Sequence, residues 1–224
     1  FPCLPSTASM HRPDRSFHED FPMKLYFSPG ACSLASHIAL LEAGVDFEAV
    51  KVEGRGQKTA GGEDYSKVTA KGYVPALRLD DGMVLTEGTA ILPYIADRKP
   101  ASNLAPAAGT MGRYRLHEWL GYINSELHKN FSPFFAPGTT DDQKVAAKTN
   151  LGRRFDFAQT ELGDKSFLMG ETFTVADAYL FTVLGWCAYV GIDLGQWPGL
   201  KAYHGRVAAR PAVQAALKAE GLIK

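Results

Sequence analysis

Cys32 lies in the stretch SPGACSLASH, Ser28 to His37, just past Pro29 and Gly30, where an apolar run gives way to a helical pattern. A thiol at a helix start meets unpaired N–H groups and the positive end of the helix dipole. The position therefore predicts a depressed pKa and a reactive sulfur. Ala35 stands where a second cysteine would make a dithiol pair, so a partner thiol must come from another molecule. The competing reading is a small buried hydrophobe.

Three further stretches can serve such a thiol. In GYVPAL, Gly72 to Leu77, a cis Val74–Pro75 bond would turn the Val74 N–H and C=O outward, where an extended peptide can pair with them. In LTEG, Leu85 to Gly88, a helix start offers free N–H groups to a carboxylate, and Glu87 offers a charge to an ammonium group. Together these suit an α-amino acid head group; the alternative is a helix-start charge stabilised by the dipole. In SELHKN, Ser125 to Asn130, His128 and Lys129 offer a proton donor and a cation to an anion. The remaining histidines, among them His37, His117 and His204, read as structural.

The elements that must position these groups follow from the pattern. Met23–Phe27 reads as a strand, Ser33–Ala43 as a helix closed by Gly44, and Phe47–Val52 as a second strand. That is a β-α-β unit with parallel pairing. Pro75–Leu85 reads as two strands joined at Asp81-Gly82, and a helix follows. The glycine-rich GRGQKTAGG, Gly54 to Gly62, has Thr59 where a dinucleotide fingerprint needs its third glycine, so it reads as a mobile loop over a site. PASNLAPAAG, Pro100 to Gly109, is a linker by composition. Helices are expected at 111–131, 142–162, 175–190, 198–209 and 212–219, the third opened by a Thr174–Asp177 capping box.

Composition narrows the function. The 224 residues are 46% hydrophobic with zero formal net charge, and no basic stripe marks a nucleic-acid binder. The longest apolar run, Val175 to Ile192, is broken by Asp177 and Thr182 and reads as a buried core helix rather than a membrane span. Three widely spaced cysteines make no disulfide framework, which points to a reducing cytoplasm, and no Cys/His cluster has zinc spacing. Residues 1–22, rich in proline and without periodicity, read as a flexible extension, with the folded protein expected from Met23.

Taken in order, SPGACSLASH, GYVPAL, LTEG, EWL with SELHK, TVADAYLF and the terminal AEGLIK resemble the cytosolic glutathione S-transferases, specifically the bacterial beta class. The resemblance implies a thioredoxin-like domain at 23–101 and an all-helical domain at 109–224. It implies an enzyme that conjugates glutathione to small apolar electrophiles in detoxification, acting as a homodimer, with glutathione as cosubstrate and no metal.

By the same resemblance, Cys32 faces the glutathione sulfur and Ser33 donates to a thiolate from its hydroxyl or N–H. Val74 pairs with the tripeptide backbone in front of cis Pro75, and Glu87 and Gly88 hold the γ-glutamyl end. His128 and Lys129 lie near the sulfur, Ser125 lies on the same helix, and Glu126 reaches the neighbouring subunit. Gln57 stands where relatives often carry a lysine for the glycyl carboxylate, and Lys58 is the expected substitute; Gly121 replaces a frequent asparagine and Phe27 a tyrosine. The helix start at Cys32–Ser33 is expected to supply most of the thiolate stabilisation, with His128 assisting. Two other activities compete: disulfide reduction or dehalogenation through Cys32, and plain binding of apolar molecules.

Overall fold

The computed structural model describes residues 22–54 and 57–224. The expected extension, but for Pro22, and positions 55 and 56 of the glycine-rich loop lie outside the described residues.

The first part is a sheet flanked by helices. Strands β1 (Lys24–Phe27), β2 (Glu48–Glu53), β3 (Lys58–Thr59), β4 (Ala76–Arg78) and β5 (Val84–Thr86) stand in the order β3-β2-β1-β4-β5. β1 pairs parallel with β2, with Leu25 opposite Ala49, and antiparallel with β4, with Leu25 opposite Leu77. The loop reading of Gly54–Gly62 is corrected at Lys58–Thr59, which form a two-residue edge strand against Val52 and Glu53. A pair that short is below the length at which alternation can be read.

Helix α1 (Ser33–Ala43) crosses from β1 to β2, and Gly44, at φ +62°, ends it by returning its N–H to Leu40 and Leu41. Only the left-handed conformation closes the helix this way, and glycine adopts it without penalty. The helix packs against β1, α2 (Gly88–Arg98) and two later helices, and Leu34, Ile38, Ala39 and Leu40 are buried. With neighbours on every side, α1 fixes its own N-terminal turn firmly.

The second part is helical: α3 (Met111–Tyr122), α4 (Lys129–Phe135), α5 (Asp141–Leu162), α6 (Val175–Gly185), α7 (Pro198–Ala208) and α8 (Pro211–Ala219). The continuous helix expected over 111–131 instead widens into a π-helical turn at Ile123–His128 and then runs on as α4 to Phe135. Such wide turns recur at functional sites, because they reset the phase of the side chains that follow. The single helix expected over 175–190 is α6 followed by a 3₁₀ segment, Trp186–Val190. Helix α6 is buried along its length, and Asp177 is satisfied at its start. Leu168 N–H, Thr174 N–H, Thr174 Oγ1 and Tyr203 O–H donate to its carboxylate at 2.8–2.9 Å. Among the described residues no helix is long and apolar enough to cross a membrane.

Candidate active site

The turn before α1 is held from both sides. Gly30, at φ +70°, donates its N–H to Glu220 Oε2 at 2.8 Å, and its carbonyl accepts from Trp186 Nε1 at 2.8 Å. Glu220 Oε1 meets His37 Nδ1 at 2.9 Å, both side chains buried. The C-terminal end of the chain thus grips the loop that leads to Cys32.

Cys32 is the residue before the first turn of α1, and its Sγ–H donates to the Val74 carbonyl at 3.3 Å. The Val74–Pro75 bond is cis. The expected depression of the thiol pKa is corrected. Burial pushes Cys32 up to about 11, outweighing the lowering by the N–H groups of Cys32 and Ser33. A dipole stabilises a thiolate, but the desolvation that comes with burial outweighs it here.

The Ser33 hydroxyl is engaged elsewhere. Its Oγ is buried, accepts from Ser28 N–H at 3.2 Å and donates to Ser28 C=O at 3.3 Å. Ser33 acts on the sulfur through its N–H, as Cys32 does through its own. His128 is also corrected: burial, then Lys129, lower its pKa to about 4, so the ring is neutral at neutral pH and is no cationic proton donor. Its Nδ1 lies 2.8 Å from Tyr179 Oη, and its ring stands edge-on to Trp186 with centroids 4.8 Å apart.

Two cavities adjoin at Cys32 and His128. One, of about 280 Å³, is lined by Val74, Pro75, Glu87, Gly88, Lys129 and Tyr179 among others. The second, of about 720 Å³, is lined by Pro29, Phe131, Phe135, Trp186, Tyr189 and Leu222. The first mixes apolar walls with the charged and polar groups Glu87, Lys129 and Asn124. The second is aromatic and open to apolar guests.

Glu87 opens α2 at φ +72°, a conformation that costs a non-glycine residue and marks a position set for another purpose than local comfort. Its Oε1 accepts from Tyr73 O–H at 2.9 Å and from Lys71 Nζ at 2.5 Å. Lys71 first, then Tyr73, hold the Glu87 carboxyl below the ordinary range.

Other expected residues lie apart. Lys58 sits on the outer strand and does not line either cavity. Ser125 Oγ donates to Gly121 C=O at 3.0 Å, and Glu126 pairs with Arg154 of its own chain at 2.7 Å. The sequence reading missed Lys71, Tyr73, Asn124, Tyr179 and Trp186. KGY, directly ahead of VPAL, was the available signal for the first two.

A mixed sheet that brings a helix-start cysteine against a cis-proline bond, packed on a helical half with an apolar cavity, defines a thiol-handling enzyme of two-part build. Residues 30–98 match the family description "Glutathione S-transferase, N-terminal domain", and residues 122–211 match "Glutathione S-transferase, C-terminal domain". The chain is 46% identical to glutathione S-transferase GstA of Escherichia coli O157:H7, over 89% of this chain and all of that one. A solved sphingomonad glutathione S-transferase complexed with glutathione is 55% identical, with a TM-score of 0.86 over 89% of this chain and all of that one. The beta-class enzyme of Sphingomonas chungbukensis is 54% identical, with the same TM-score and the same coverage of both chains. The chain belongs to the glutathione S-transferase family, and the solved structures it resembles include a bacterial beta-class enzyme.

Proposed function

We propose that this chain binds glutathione in the smaller cavity and joins it, through its sulfur, to an apolar electrophile held in the larger one. The observation that carries this reading is the meeting of the two cavities at Cys32 and His128. A peptide in the smaller one pairs with Val74, meets Glu87 and the N–H groups at Gly88 with its α-amino acid end, and points its sulfur at Cys32. The dipole at α1 and the Ser33 N–H favour the ligand's thiolate. Residues 23–101 then form the glutathione domain, and 109–224 supply most of the electrophile wall.

Conjugation is favoured over redox chemistry at Cys32 itself. A thiol pushed up to about 11 and bonded to a carbonyl is a poor nucleophile at neutral pH. The electrophile is neutral and flat, to suit walls made of Phe131, Phe135 and Trp186. The working unit is a homodimer. This reading is supported by exposed Phe157 beside the Trp119 and Tyr122 rings and by exposed Tyr114 on the same helix as those two, and size-exclusion chromatography tests it. Free Cys32 and Cys187 suit a reducing cytoplasm.

Calorimetric titration of glutathione into the reduced protein tests the reading. Saturable heat at micromolar to millimolar ligand supports it. Absence of binding removes it and leaves the capture of apolar molecules by the aromatic cavity.

A further inference from the structure

His128 is joined to Tyr179 and, through its hydroxyl, to Asn124. Tyr179, on α6, is almost wholly buried, and its Oη lies 2.8 Å from His128 Nδ1. The same hydroxyl donates to Asn124 Oδ1 at 3.1 Å. Asn124 and His128 stand four residues apart on the π-helical turn Ile123–His128, so one wide turn presents both to Tyr179.

A phenol has one hydrogen to give. Here it goes to Asn124, so Tyr179 Oη is left as an acceptor toward His128. A neutral imidazole carries one N–H, and the partner of one nitrogen decides which. With the amide oxygen of Asn124 turned to the hydroxyl, Nδ1 holds the hydrogen and donates to Tyr179, and Nε2 is left with a bare lone pair. Among the described residues Nε2 has no hydrogen-bond partner, yet it is not sealed from solvent. The ring borders both cavities beside Cys32.

We propose that Asn124 and Tyr179 are positioning residues that hold His128 in its Nδ1–H tautomer, so that Nε2 accepts the thiol proton of glutathione. The proposal rests on the glutathione reading above. In the step, the S–H bond breaks, an N–H bond forms at Nε2, and the electron pair stays on sulfur. The sulfur then attacks the electrophilic carbon and forms the C–S bond, and the displaced group leaves with its own electron pair. The proton on Nε2 passes to water from the open cavity, which restores the ring. Burial and Lys129 keep the ring unprotonated until a thiol arrives. A thiolate beside it then favours the imidazolium.

The test reads the tautomer and the rate separately. Nitrogen-15 NMR of the glutathione-free protein at pH 7 should give an imine-type signal for His128 Nε2 and a pyrrole-type signal for Nδ1. Asn124→Ala frees the Tyr179 hydrogen to donate to Nδ1, and the two signals should exchange. Asn124→Asp keeps an acceptor and should restore the wild-type pattern. With an activated aryl chloride, Asn124→Ala and Tyr179→Phe should lower kcat at least about tenfold, within the range of general acid–base catalysis, with KM for glutathione nearly unchanged. Asn124→Asp should retain kcat. A wild-type Nε2–H pattern overturns the proposal, as does a tautomer that exchanges with no change in kcat. A failure of glutathione binding leaves the NMR pattern standing, so the two readings fail separately.

Discussion

Cys32 Sγ gives its hydrogen to the carbonyl oxygen of Val74, 3.3 Å away across the start of α1. The bond holds the resting sulfur as a thiol on the backbone of the cis-proline turn. Burial adds to this and places the pKa at about 11. Iodoacetamide should therefore modify Cys32 slowly at pH 7 and faster as pH climbs towards 11. Cys187, buried and pushed up to about 12, should lag behind it. Mass spectrometry of tryptic peptides over a pH series gives both profiles. A Cys32 midpoint at or below pH 7 would sink the argument.

His128 makes stability depend on pH in one direction. An imidazole in an unfolded chain takes its proton near pH ~6.5. In the fold, burial first and Lys129 second delay this to about 4. Between those values the unfolded state binds more protons, so stability falls as pH falls. Burial lowers His204 too, and it adds in the same direction. The melting temperature should drop between pH 6.5 and pH 4, and His128→Gln should drop less steeply across that window. Equal slopes in the two proteins would count against a neutral, buried His128.

Much of this was readable in the chain because it is written locally. The parallel β1-α1-β2 unit needs only short apolar runs and Gly44, and the cap of α6 needs only Thr174 and Asp177 three apart. The rest depends on distance across the fold. Helix periodicity gives Cys32 its place at the dipole but not its burial among distant residues, and that burial reverses the sign of its pKa shift. The π-helical turn differs from an α-helix in hydrogen-bond register, which side-chain periodicity over six residues does not resolve. Tyr179 lies 51 residues from His128 and Lys71 lies 16 from Glu87, so no spacing rule joins them.

Glu87 is paired within the chain, since Lys71 and Tyr73 both donate to Oε1. An incoming ammonium group must share that carboxylate, and its grip depends on the charge. Glu87→Gln keeps the acceptor and removes the charge. Its dissociation constant for glutathione should rise about tenfold, which is about 1.4 kcal/mol. N-acetylated glutathione, which has no ammonium group, should bind wild type and variant alike. If the variant loses both ligands equally, Glu87 acts through the shape of the turn and not through its charge.

Asp177 tests the helical half independently of the site. Its carboxylate is buried and takes four donors, two from Thr174, one from Leu168 and one from Tyr203. Those contacts tie the segment before α6 and helix α7 to the first turn of α6. Burial raises the Asp177 pKa despite the four hydrogen bonds that hold the carboxylate. Removing it orphans donors that water cannot reach, at about 1–3 kcal/mol each. Asp177→Ala should thus cost more than about 3 kcal/mol in urea unfolding, and Asp177→Asn, which keeps one acceptor oxygen, should cost less. Because α6 carries Tyr179 and leads into Trp186, the Ala variant should also lose catalytic rate before its global unfolding midpoint is reached. An Ala variant with wild-type stability would mean that the cap is redundant with the packing of α6, and the link from this helix start to the site would fall with it.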